Sequence, residues 1–90
     1  MKLIRTVKVK NDLGLHTRPA TVIVKMLQSY KSSVHFTYKK DTINARSIMS
    51  ILMLALRKNA SIQITVEGDD AEETISALVN AFENQFWETK

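Results

Sequence analysis

NDLGLHTRPATVIVK, residues 11–25, is the stretch from which the fold is read. Asn11 to Gly14 has turn composition, and beyond it Ala20, Ile23, Val24 and Leu27 recur at helical spacing, so a turn feeds a helix that runs to about Ser29. Pro19 fits the first turn of that helix, where its missing N–H has no helical partner to lose. Because a residue that precedes proline avoids helical backbone angles, the helix start falls between His16 and Pro19.

Working outward, LIRTVKVK (3–10) sets Val7 and Val9 on one face against Thr6, Lys8 and Lys10, the alternation of a half-buried strand. SVHFTYKK (33–40) is a second strand with Val34, Phe36 and Tyr38 on one face and His35 on the solvent-facing side. Lys39, Lys40 and Asp41 turn into a short third strand around Thr42 to Asn44. Ser47 is suited to N-cap a second helix whose buried stripe is Ile48, Ile51, Leu52 and Ala55, and Asn59 is a left-handed stop for it. SIQITVEG (61–68) is a fourth strand, and Asp69 and Asp70 start a last helix that buries Ile75, Leu78, Val79 and Phe82. The order strand, helix, strand, strand, helix, strand, helix predicts an α+β open-faced sandwich: a four-stranded antiparallel sheet with three helices on one face. With no linker, repeat or low-complexity segment, residues 1–90 form a single domain.

Composition narrows the chemistry. Cysteine is absent, which excludes disulfides and Cys-based metal or thiol sites. Met1 to Lys10 is charged and alternating, unlike a signal peptide, and the longest apolar run, ILMLAL (51–56), is too short to span a bilayer, so a cytoplasmic protein is expected. The formal charge of +4 is unevenly spread. Residues 1–46 hold ten Lys or Arg and two Asp or Glu, a net +8; residues 47–90 hold three and seven, a net −4. The basic half fits an acidic partner, whether nucleic acid, anionic lipid or an acidic protein surface, or simply a solvated face.

A loop histidine alone is most often a solvated or capping residue. His16 differs in its company. A helix N-terminus offers unpaired amides and partial positive charge, a seat for anions and above all for phosphate. The ring of His16 is expected beside the free amides of residues 17 and 18, and Arg18 adds a forked cation suited to phosphate oxygens. The ring can bind phosphate passively, or it can attack phosphorus and become a phosphohistidine, since phosphoryl transfer asks little beyond a positioned nucleophile and charge neutralisation.

GLHTRPA (14–20) resembles the active-centre motif of HPr, the histidine-containing phosphocarrier family of the bacterial phosphoenolpyruvate-dependent phosphotransferase system. ARSIMSILMLA (45–55) is similar to that family's second signature, around its regulatory serine, and the motif spacing, element order and length agree over nearly the whole chain. The resemblance implies that His16 takes a phosphoryl group on Nδ1 from phosphorylated enzyme I and donates it to an enzyme IIA component. It further implies that Arg18 neutralises the phosphoryl charge, that Thr17 contributes a backbone N–H, and that Ser47 is the target of an HPr kinase/phosphorylase. Ile48, Met49 and Leu52 match the family's apolar docking patch. Met49 and Met53 lie off the helix's buried stripe, and flexible methionine suits a surface that meets several partners. Lys25 and its basic neighbours would steer acidic ones. The implied protein is a monomeric phosphorylated intermediate rather than an enzyme, though sometimes classed with phosphotransferases, with no cofactor, no metal, no nucleic acid and no membrane insertion. Thr17, Ser50 and Asn59 stand where the family more often has Ala or Ser, Gly and Gly.

Two other readings stand beside this one. The same relay could serve a regulatory branch, nitrogen- or metabolism-sensing, in place of sugar uptake. Of another class altogether, the first six elements also describe a small RNA-binding module in which Phe36 and Tyr38 would stack bases, although the aromatic-and-glycine signature of such modules is missing.

Overall fold

In β4 (Ser61–Glu67) every second residue is branched and apolar, and Ile62, Ile64 and Val66 are all buried while Ser61, Gln63 and Glu67 are exposed. That strict alternation places β4 inside a sheet with one wet face. In the computed structural model, which describes residues 1–88, β4 lies between β1 (Lys2–Lys8) and β2 (Ser33–Tyr38), with β3 (Asp41–Asn44) outside β2, in the order β1-β4-β2-β3. All three pairings are antiparallel, and Val34, Phe36, Ile62, Ile64, Val66 and Val7 point to the covered face. The helices α1 (Thr17–Leu27), α2 (Ile48–Met53) and α3 (Ala71–Glu83) cover that face, giving the expected open-faced α+β sandwich. Ala20, Ile23 and Leu27 of α1 and Ile75, Leu78 and Phe82 of α3 are buried as their spacing predicts; Val24 and Val79 are half-buried at the margin of the core.

The second helix departs from expectation. It ends at Met53, with Leu54 as its C-cap, and Ala55 takes a left-handed conformation (φ 52°) and is exposed, so it does not complete the buried stripe. By leaving the helix there the chain instead buries Leu54 and Leu56. Ala55, rather than Asn59, therefore follows the helix end; Asn59 is left-handed (φ 75°) but belongs to the next turn, where its N–H donates to Val9 O at 2.7 Å.

Beyond α3 comes a feature with no glycine to announce it. Gln85–Trp87 forms one turn in which all three residues have positive φ (54°, 53° and 57°). Such angles cost an L-residue about 1–2 kcal/mol each. Burial of Phe86 offsets part of that cost, by about 1.5–3 kcal/mol, helped by edge-on ring contact with Phe82 at 4.8 Å. The turn reverses the chain and returns Glu88 to the mouth of α1.

Asp70, at the N-cap of α3, caps none of its own helix's amides; its carboxylate accepts from the amides of Lys31 (2.8 Å) and Ser32 (2.9 Å), from the Ser32 hydroxyl, and from Thr74 Oγ1 at 3.3 Å. The Ser32 hydroxyl first, then the Lys31 amide, lower its pKa from 3.8 to about 2. A value depressed by folding gives stability that is complete above 3.8 and is lost as pH falls toward about 2. Acid unfolding followed by circular dichroism is expected to show that loss in the wild type. Asp70→Asn should lack this component and be less stable at neutral pH. Parallel acid profiles for the two proteins would refute the assignment.

Candidate functional site

The turn before α1 is built on Gly14. Its φ is 72°, its N–H donates to Asn11 O at 3.0 Å, and a Cβ placed there would stand 2.3 Å from the carbonyl oxygen of Leu56. Only glycine lets the two backbones approach this closely. Next in sequence, the Leu15 N–H donates to that same Leu56 oxygen at 2.9 Å, which ties the entry to α1 to the segment that follows α2.

His16 is the N-cap of α1, with extended backbone angles (φ −85°, ψ −164°), so the helix begins at Thr17, within the range set by Pro19. The first helical hydrogen bond runs from Ala20 N–H to His16 O at 3.1 Å. The three positions in between are Thr17, Arg18 and Pro19, and proline has no N–H. Two amides, of Thr17 and Arg18, therefore face outward with no carbonyl one turn back to receive them. A serine or aspartate at the N-cap would satisfy such amides with its own side chain; the imidazole of His16 makes no capping bond. The outcome is a helix mouth with two free donors, a half-exposed ring and an exposed Arg18 that pairs with no carboxylate among the described residues. The two amides and the Arg18 guanidinium favour an anion there.

Nε2 of the ring lies 2.8 Å from Glu88 Oε2. The other oxygen of Glu88 accepts from the side-chain amide of Asn11, which also donates to Gln85 O at 2.8 Å. Neither Asn11 nor Glu88 was singled out from the sequence, and spacing could not have done so, because 72 residues separate the ring from its carboxylate.

The second signature is brought to the same side of the molecule. α1 packs against α2, and Ser47 N-caps α2, its hydroxyl accepting from Ser50 N–H at 3.2 Å. Ile48 and Leu52 are half-buried against the core, whereas Met49 and Met53 are 69% and 79% exposed. Leu13, in the turn before His16, adds a further exposed apolar side chain. Lys25 is exposed but stands in the last turn of α1, about 13 Å along the axis from His16, so it lies apart from the helix mouth. Phe36 is wholly buried edge-on to Phe82 (5.8 Å) and Tyr38 is half-buried, so Phe36 is closed to the base stacking that an RNA-binding reading requires. His35 is half-buried on the open face of the sheet. Among the described residues no group of three or more His, Asp or Glu is placed to hold a metal, and no helix is long and apolar enough to cross a membrane.

The family described as the PTS HPr component phosphorylation site matches residues 3–84. A phosphocarrier protein HPr of Chlamydia pneumoniae is 42% identical over 87 residues, spanning 97% of this chain and 81% of that protein. Another, from Treponema pallidum, is 33% identical and spans 96% of this chain and 98% of its own. The crystal structure of HPr-C-His from Thermoanaerobacter tengcongensis superposes with a TM-score of 0.92 at 35% identity, covering 98% of this chain and 99% of that one. Fold and sequence together define a phosphocarrier of the phosphotransferase system. The chain belongs to the HPr family.

Proposed function

We propose that this chain, acting as a monomer in the cytoplasm, accepts a phosphoryl group from phosphorylated enzyme I on Nδ1 of His16 and passes it to an enzyme IIA component. The observation that carries this reading is the position of His16 at the N-cap of α1, beside two amides it does not cap. Those amides, of Thr17 and Arg18, together with the Arg18 guanidinium, supply donors and positive charge for the three phosphoryl oxygens. Ile48, Met49 and Leu52, with the exposed Met53, form an adaptable apolar face on which successive partners dock, and the basic half of the chain, Lys25 included, speeds their encounter.

The test is incubation with phosphoenolpyruvate and enzyme I, followed by mass spectrometry of the charged protein. The phosphoryl group is expected on His16; a load on any other residue, or none, would overturn the proposal.

Ser47 is proposed as a regulatory site for an HPr kinase/phosphorylase. A phosphate there would be tolerated at the start of α2 but would set a charge of roughly −1.5 to −2 within the docking face. Ser47→Asp is expected to slow phosphoryl acceptance from enzyme I about ten-fold at low salt while keeping the fold, like charges at an interface costing on the order of 1 kcal/mol or more. Acceptance at the wild-type rate would count against the electrostatic account.

A further inference from the structure

The ring of His16 has two nitrogens, and among the described residues only Nε2 has a partner. A carboxylate is acceptor-only when ionised, so the 2.8 Å contact to Glu88 Oε2 requires Nε2 to carry the proton. In the neutral ring the lone pair then belongs to Nδ1. The contact is partly shielded from water: the side chain of His16 is 35% exposed and that of Glu88 15%. Glu88 is in turn seated by Asn11, a residue only 2% exposed, which donates both to Glu88 Oε1 and to the Gln85 carbonyl within the left-handed turn. Glu88 lies outside the stretch matched by the family, residues 3–84, so its part does not follow from family membership.

We infer that Glu88, held by Asn11, is a positioning residue that fixes His16 as the Nε2–H tautomer and presents the Nδ1 lone pair to phosphorus. This rests on the reading of His16 as the phosphoryl acceptor. In the accepting step the Nδ1 lone pair forms the P–N bond as the bond from phosphorus to its donor breaks, and the donor keeps that electron pair. The ring becomes a phosphoimidazolium that retains its Nε2 proton, and its positive charge faces Glu88. In the donating step the acceptor's nucleophile attacks phosphorus, the P–Nδ1 pair returns to the ring, and neutral Nε2–H imidazole is regenerated. No ring proton moves in either direction. Without the Nε2 proton the leaving group would be imidazolate, a far poorer one.

Glu88→Gln tests this at constant shape. Glutamine has one oxygen for two donors. If that oxygen serves Asn11, the glutamine NH2 faces His16, donates to Nε2 and drives the ring proton to Nδ1, where it blocks the nucleophile. Nitrogen-15 NMR of the imidazole is expected to show the Nε2–H tautomer in the wild type and a rise of the Nδ1–H tautomer in Glu88→Gln. The rate of acceptance from phosphorylated enzyme I should fall about ten-fold in kcat with KM little changed, and Glu88→Ala should fall similarly. An unchanged tautomer together with wild-type kcat in both Glu88→Gln and Glu88→Ala, the second of which leaves no acceptor for Nε2–H, would overturn the inference. His16→Ala separates the two readings. If it is still labelled, or if the wild type is not, the acceptor assignment fails while the tautomer comparison still decides for or against Glu88.

Discussion

His16→Ala is expected to yield a folded protein that takes up no phosphoryl group from enzyme I, a drop from full labelling to background. The fold survives because the imidazole caps nothing: its side chain makes no bond to the helix amides, and its one hydrogen bond among the described residues goes to Glu88. Loss of that half-exposed contact costs about 1 kcal/mol, within the range that single partly exposed substitutions produce. The chemistry does not survive, because no neighbouring side chain can replace the ring. Thr17 and Ser47 carry unactivated hydroxyls, and the second histidine, His35, lies on the open face of the sheet, opposite the helices. Thermal unfolding by circular dichroism and labelling with phosphoenolpyruvate and enzyme I measure the two halves of this expectation. Residual labelling would relocate the acceptor.

Arg46→Ala should have the largest effect on stability. The guanidinium donates to three carbonyls at 2.8 Å: Leu27 O at the end of α1, Tyr30 O in the following turn, and Ser32 O at the entry to β2. Leu27 O, at the helix C-terminus, also accepts from the Tyr30 N–H (3.1 Å) and carries partial negative charge, and a half-buried cation with a rigid fork gathers it together with the two loop carbonyls better than water does. Hydrogen bonds to a charged group are each worth about 1.5–3 kcal/mol, and water reaches part of the vacated site. The net loss is therefore about 3 kcal/mol, visible as a lower urea midpoint at unchanged slope. Arg46→Lys should recover less than half of it, since one ammonium cannot match the fork. A loss below about 1 kcal/mol would show that these bonds merely replace equivalent ones to water.

What could be read from the sequence was whatever has a local signature. The alternation of β4, the 3.6-residue spacing of α1 and α3, the N-cap at Ser47 and the helix-opening order His-Thr-Arg-Pro all lie within one element or one turn. Ala55 continues the helical spacing in sequence, but tertiary packing of Leu54 and Leu56 ends the helix before it. The turn at Gln85–Trp87 was illegible for a related reason: positive φ at non-glycine residues leaves no mark in composition, and burial of Phe86 is what sustains it. The Asn11–Glu88–His16 arrangement joins the two ends of the chain, and no periodicity spans such a distance. Arg46 counted as one more charge in the basic half, yet it is engaged on α1 and offers a visiting partner little.

The chain has a single proline, and its placement as the third residue of α1 limits the grip of the helix mouth. A loop that enfolds a nucleotide lines its guest with amide after amide; here the ring of Pro19 deletes one donor and two remain. Such a berth is shallow by construction. On the proposed reading of His16 as the acceptor, whose cargo must leave as readily as it arrives, a firmer hold would lower the energy of the loaded state and raise the barrier to departure, and the imino acid would keep that well from deepening.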